Sequence, residues 1–474
     1  MPEIHELSAE ELGQSVRTGT LHATETLAHT FARIHALDPE IGAFVHLCEA
    51  RAMAEAKILD QRIAAGEDPG PLAGVPLGVK DLEDVSGLPT SFGSVVFRTN
   101  VAAQDSVQVA RLRNAGAIVV GKTNTPEFGS TALTRNRLFP TTRNPWNTAH
   151  TPGGSSGGSA AAIAARMLPL VTASDGGGSI RIPACYVGAF GFKPTFGRVP
   201  VGPEGHGMLR WMDTVHFGPL VRSVRDAALF LDVVAGYDPV DPNSLPAPST
   251  SYLSAVEQAP PRLRIAYSPD LGYASVDADV LAATEECLRL LVSLGHDVAR
   301  VDLRLPDAGV AWAFGCGAEQ YAELAGLVTG REDELGRGFW AGIKQTAHLS
   351  ALDMGRIART RSALNDAMSA VFAEFDVLVT PSLPTEAFGA QGPMPAQAGG
   401  VEFENPLGAV AFSYPFNLTG HPAATIRSGI GDQGLPVGVQ LIAERHRDDL
   451  VLALSRSLEL AQEKERGPLT WPAL

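Results

Sequence analysis

The chain has 474 residues, 45% of them hydrophobic and 19% charged, and a formal net charge of −15. That is an ordinary globular balance, and its acidity disfavours a phosphate-tracking surface, so nucleic acid is not expected as a ligand. The four cysteines, Cys48, Cys185, Cys287 and Cys316, form no C-x-x-C pair, which suits a reducing cytoplasm and offers neither a disulfide framework nor a zinc site.

The opening MPEIHELSAEEL has no basic region and no apolar core, and no run is long enough to span a bilayer. Neither a signal peptide nor membrane attachment is therefore expected. Ser8 with Glu11 reads as a capping box for a first helix. A second helix begins near His22, sets Leu27, Phe31 and Ile34 on one face, and is expected to end before Pro39. Met53 to Ala65 continues this helical layer. A short apolar strand then carries the chain from Val75 into Lys80 and Asp81. Lysine is scarce here, and arginine carries most of the positive charge. Lys80 is either a salt-bridged lysine, with Asp81 or Asp84 as partner, or a desolvated amine. A free amine titrates near ~10.4 and is useless as a base at neutral pH, but burial against apolar neighbours lowers that value.

Gly116 to Thr123 satisfies the phosphate-loop pattern G-x-x-x-x-G-K-[ST]. The residues between its glycines, Ala117 to Val120, are an apolar strand, whereas a phosphate loop follows a strand and opens a helix, so nucleotide binding is rejected.

The stretch from Thr151 to Arg198 is the most informative. Two clusters, Gly153-Gly154-Ser155-Ser156-Gly157-Gly158 and Gly176-Gly177-Gly178-Ser179, flank an alanine-rich helix read at Ser159 to Met167 and a buried strand read at Leu168 to Thr172. Glycine is costly to order, so three in a row before a serine point to the backbone as the functional group. Its N–H groups can gather in one concave spot beside a hydroxyl, as in an oxyanion hole next to a serine nucleophile. The first cluster also fits G-x-S-x-G with Ser156 as nucleophile, but no strand precedes it. His296, His421 and His446 stand in no informative context for a histidine triad.

Beyond this region Ser223 caps an amphipathic helix, and residues 241 to 262 make a surface crossing rich in proline and serine. A strand at Leu263 to Tyr267, a helix near 277 to 294 and a strand near Asp297 to Val301 form a βαβ-like unit. Residues 305 to 370 are mostly helical. Strands at Val377 to Thr380 and Val437 to Ile442 and a final amphipathic helix from Asp448 to Gln462 close the chain. Nothing resembles a flexible linker. Trp211, Met212, Trp312, Phe314 and Cys316 are candidates either for an apolar pocket or for the core.

The quoted glycine-serine clusters, with DGGGSIRIPA and GFKPTFGRVP after them, resemble the defining block of the amidase signature family. GVPLGVKDLEDV around Lys80, GKTNTPEFG, the segment from Phe416 to Ala423 and LPVGVQLIA are similar to its companion motifs. This resemblance implies an α/β fold with a large mixed β-sheet core covered on both faces by α-helices. It also implies a single domain over 1–474, a catalytic core at about 70–200 and a substrate-pocket region at about 203–217 and 305–370.

The implied catalytic set is Lys80, Ser155 in a cis peptide, and the nucleophile Ser179, with the serines 179 − 155 = 24 positions apart, as in the family. Gly176, Gly177, Gly178 and Ser179 would supply the oxyanion hole, and Ser174, Asp175 and Arg181 would support it. Asn124 and Thr125 would face the substrate.

The expected activity is hydrolysis of a small-molecule carboxylic amide, with carbamates or esters also in view, by a monomer or homodimer needing no cofactor. The alternative is the amidase component of a tRNA-dependent amidotransferase, releasing ammonia from glutamine. A catalytically silent binding protein is disfavoured because Lys80, Ser155 and Ser179 are all present.

Overall fold

The computed structural model of the protein describes residues 3–202 and 213–474. Trp211 and Met212, and with them most of the 203–217 segment, lie outside the described residues.

In chain order the strands are β1 (Phe44–Leu47), β2 (Pro76–Lys80), β3 (Ile118–Thr123), β4 (Leu170–Asp175), β5 (Phe190–Lys193), β6 (His216–Val221), β7 (Arg264–Tyr267), β8 (Asp297–Arg300) and β9 (Val377–Pro381). The small hairpin β10 (Gln397–Ala398) and β11 (Val401–Glu402) follows, and then β12 (Ala423–Ile430) and β13 (Pro436–Ala443). Eleven of these form one sheet in the order β1-β3-β2-β4-β6-β5-β12-β13-β9-β7-β8. The sheet is mixed: β3-β2-β4 and β9-β7-β8 pair in parallel, while the edge strand β1 pairs antiparallel with β3 and the strands from β4 through β6, β5, β12 and β13 to β9 pair antiparallel.

Period-two alternation along the strands explains why both faces are covered. Ala266, Leu378 and Ile442 pack with Leu364 and Met368 of the helix Ala351–Glu374. Their strand neighbours Ile265, Val377, Val379 and Leu441 point the other way, into a cluster with Leu291 of the helix Ala278–Ser293 and Leu454 and Leu458 of the helix Asp448–Arg466. The parallel pair β7 and β8, joined by the helix Ala278–Ser293, is the expected βαβ unit.

Two boundaries differ from expectation. The second helix runs Ala23–Ile41 through Pro39 and stops at Gly42, whose φ of 67 suits glycine. Pro39 sits in the last turn, so its missing N–H removes one bond, to the His35 carbonyl, near the helix end. The alanine-rich helix is Gly157–Ala164, and β4 continues to Asp175, so the glycine turn begins directly at the end of a strand. Among the described residues no helix is long and apolar enough to cross a membrane.

Candidate active site

Lys80 ends β2, the neighbour of β4, and is fully buried. Its Nζ lies 2.8 Å from Ser155 Oγ and 3.0 Å from Ser174 Oγ, and it donates to the Ser174 carbonyl at 3.4 Å. Asp81 does not pair with it. That carboxylate turns to Lys122, whose Nζ is 3.5 Å away. Burial lowers the Lys80 amine from 10.5 to about 7, against the opposing pull of the Glu83 and Asp175 charges. Glu83 is equally buried, and loss of solvent raises its carboxyl to about 7, while Gln108 donates to it at 2.6 Å.

Lys122, the lysine of the apparent phosphate loop, is inside β3 with its side chain buried, donating to the Glu83 carbonyl at 2.6 Å and to Thr90 Oγ1 at 2.9 Å. Its side chain is fully buried and lines neither of the cavities near Ser179.

The Gly154–Ser155 peptide is cis. The Ser156 N–H donates to the Ser179 carbonyl at 3.3 Å, which places the backbone of the second cluster against the first. Ser156 itself precedes the helix and directs its hydroxyl to the Ser174 carbonyl at 3.4 Å.

The turn from Gly176 to Ser179 is held by Asp175. This buried carboxylate accepts from the N–H groups of Gly178 at 2.7 Å and Ile180 at 3.2 Å, from Arg181 Nε and Nη2 at 3.0 and 2.9 Å, and from Asn417 Nδ2 at 2.8 Å. Burial alone would raise its pKa, but the Arg181 guanidinium and these donors hold it well below the carboxylate range. Arg181 also bonds Gln440 Oε1 and Asn417 Oδ1, both at 2.7 Å. The clasp corrects one expectation. Gly178 N–H points at Asp175 rather than toward a ligand, which leaves the N–H groups of Gly176, Gly177 and Ser179 outside the clasp.

Trp312 closes the other side. Its Nε1 donates to the Gly176 carbonyl at 2.8 Å, its ring stacks on Tyr414 at 5.8 Å, and a Cβ at Gly177 would overlap the indole. A narrow cavity of about 170 Å³ opens here, lined by Gly154, Gly177, Ser179, Trp312, Ile182 and Met394 among others. It shares Ser130, Thr131, Trp312 and Leu407 with a wider cavity of about 690 Å³, which Phe314 and Cys316 also line. Cys316 is buried with its Sγ 3.8 Å from Thr214 Oγ1, and none of the four cysteines is joined in a disulfide.

Asn124 and Thr125, expected to face a substrate, line neither cavity. Asn124 is buried and donates to the Pro140 carbonyl at 2.9 Å and to Thr142 Oγ1 at 3.0 Å, and Asn136 donates to its Oδ1 at 2.8 Å. It ties a loop to the core, and Thr125 is buried beside it. The residues that do line the inner cavity from that motif lie further on, at Gly129 to Ala132. Met394, Leu407 and Val410 join them from a distant part of the chain. Nothing in their local pattern marks them, because ordinary apolar residues acquire this role only through the fold.

A family model for amidases matches residues 25–452. The acylamidase of Rhodococcus erythropolis is 35% identical over 458 residues, covering 96% of this chain and 95% of that protein. The glutamyl-tRNA(Gln) amidotransferase A-type component of Geobacter sp. (strain M21) is 34% identical over 486 residues, covering 96% and 97%. The crystal structure of a bacterial aryl acylamidase of the amidase signature enzymes matches with a TM-score of 0.91 at 30% identity, covering 97% of this chain and 96% of that one. With matches of that length on sequence and fold alike, the chain belongs to the amidase signature family of amide-cleaving hydrolases.

Proposed function

We propose that the protein is a stand-alone hydrolase of small carboxylic amides that works through an acyl-enzyme on Ser179, with Ser155 and Lys80 as the proton relay. The observation that carries this reading is the placement of Lys80: its buried amine lies 2.8 Å from the hydroxyl of Ser155, which follows Gly154 of the cavity that Ser179 also lines, and burial lowers that amine to about 7. A serine hydroxyl needs a base to become a nucleophile, and an amine titrating near the working pH serves.

In the proposed cycle, neutral Lys80 takes the Ser155 proton as Ser155 takes that of Ser179. Ser179 Oγ bonds to the amide carbon, whose oxygen collects negative charge against the N–H groups of Gly176, Gly177 and Ser179. The C–N bond breaks as Ser155 returns a proton to the leaving amine. Water then attacks the acyl ester, gives its proton to the same relay, and releases the acid with Ser179 restored. The Asp175 and Arg181 clasp holds the glycine turn in place for this. Carbamates and esters fit the same steps, and the chain would act as one catalytic unit with its core at about 70–200.

The test is a panel of anilides, short aliphatic amides, aryl carbamates, p-nitrophenyl esters and glutamine, run on the purified chain with Lys80→Ala, Ser155→Ala and Ser179→Ala. Turnover of anilides or carbamates that disappears in all three variants is expected. Activity retained by Ser179→Ala would overturn the mechanism. A second reading, as the glutamine-hydrolysing component of a transfer-RNA-dependent amidotransferase, is favoured by the 34% identical Geobacter relative. It requires glutaminase activity that appears only when partner chains are added.

A further inference from the structure

The wide cavity has a charge opposite to that of the protein around it. In a chain of net charge −15, its lining among the described residues includes three arginines, Arg135, Arg137 and Arg337, and a single acid, Glu127. Glu127 is already engaged: Ser94 Oγ donates to one carboxylate oxygen at 2.8 Å and the Gly336 N–H to the other at 2.7 Å. Burial raises its pKa, which further weakens it as a counter-charge.

All three arginines are solvent-exposed and their hydrogen bonds go to neutral carbonyls, while Arg137 also lies within electrostatic reach of Glu127 and Glu334. Arg135 donates to the Gln391 carbonyl at 2.9 Å, Arg137 donates to the Asp333 and Leu335 carbonyls at 2.6 and 3.0 Å, and Arg337 has no hydrogen-bond or ion-pair partner among the described residues. The acidic turn Glu332–Glu334 lies close by but is no part of the lining, and Glu334 pairs with Arg331 at 2.8 Å. Trp312, Phe314, Phe339 and Ile343 add apolar wall to the same cavity, and Trp312 also lines the inner one.

An exposed guanidinium with unused donors, lining a cavity that also has apolar wall, matches a carboxylate carried on an apolar spacer. We propose that the wide cavity is a specificity site for an anionic distal group, so that preferred substrates are amides bearing a carboxylate remote from the scissile bond. The inference rests on the reading of Ser179 as the reacting group of the inner cavity, since that fixes which end of the substrate enters first.

The experiment compares kcat/KM for adipoyl mono-p-nitroanilide, hexanoyl p-nitroanilide and 6-aminohexanoyl p-nitroanilide, which share a chain length and differ in terminal charge. A second arm sets N-hexanoyl-4-aminobenzoate against hexananilide, so that the carboxylate rides on the leaving group instead. Both arms are run on wild type, Arg337→Gln and Arg337→Glu. In wild type the carboxylate substrate is favoured by about tenfold over its neutral partner in at least one arm, and Arg337→Glu removes that preference. The readout is the ratio of charged to neutral substrate within each variant, so a general effect of the substitution on turnover cancels.

Calorimetric binding of adipic acid monoanilide and hexananilide to Ser179→Ala gives the same comparison without turnover, and it decides the matter if no anilide is hydrolysed. Equal treatment of the charged and neutral partners in both arms, or a preference that survives Arg337→Glu, would overturn the proposal. Turnover by Ser179→Ala, by contrast, would sink the acyl-enzyme reading while leaving the charge preference measurable.

Discussion

Replacing Lys80 by methionine tests the claim that this amine is neutral-capable, separately from whether it is needed for catalysis. Folding lowers the amine from 10.5 to about 7, chiefly by burial. Below about 7 the native and unfolded states both hold the proton, and the full penalty of a buried ammonium is felt. Between about 7 and 10.5 only the unfolded state holds it, so raising the pH stabilises the native protein. Each pH unit in that window is worth ~1.4 kcal/mol, so from about pH 7.5 to about pH 9.5 wild type gains roughly 2 to 3 kcal/mol relative to Lys80→Met. The hydrogen bonds lost from Ser155 and Ser174 in the variant are independent of pH in this range and cancel from the change. Urea unfolding of both proteins across this range measures the difference. A stability gap that stays constant with pH would mean that Lys80 keeps an ordinary amine pKa, and the proposed base would be lost with it.

The same titration should govern activity: log kcat/KM on a neutral amide rises with a slope near one below pH ~7 and flattens above it, as Lys80 sheds its proton. Gly177→Ala drives a methyl into the Trp312 ring and should lower kcat/KM by about tenfold or more while quenching or shifting tryptophan fluorescence, because a displaced indole also frees the Gly176 carbonyl. Asp175→Asn leaves the Arg181 guanidinium buried against a neutral partner and should destabilise the fold by on the order of 3 to 5 kcal/mol in urea titrations. Ser156→Ala removes only a long bond to the Ser174 carbonyl, so its loss of activity should be far smaller than that of Ser155→Ala, contrary to what a G-x-S-x-G nucleophile would give.

What can be read from the chain and what cannot divides by range of interaction. Lys80, Ser155 and Ser179 stand out because glycine runs and a rare lysine are locally conspicuous, and β4 ending at Asp175 puts the glycine turn where an open sheet places a site. The apparent phosphate loop can be rejected for the same local reason, and Lys122 is indeed a strand residue. Asn124 and Thr125 mislead because polar residues after a strand look alike whether they face a cavity or tie a loop to the core. Gly178 cannot be separated from Gly176 and Gly177 without knowing that the Asp175 carboxylate folds back onto its N–H. Met394, Leu407 and Val410 reach the inner cavity from more than two hundred residues beyond Ser179, and no periodicity signals such a meeting.

The bond from Trp312 to the Gly176 carbonyl fastens the helix Gly309–Leu327 to the glycine turn at a single point near its start. Past that rivet, the rest of this helix and the helix Arg337–Lys344 contribute to the wide cavity yet supply no strand to the sheet that holds Lys80. On the proposed reading these two helices supply one wall of the recognition surface, and the stretch from Pro126 to Arg137, which lies between Lys80 and Ser155 in the chain, supplies the other. Substitutions in the two helices, which carry none of Lys80, Ser155 and Ser179, are therefore expected to alter substrate choice without moving those three side chains.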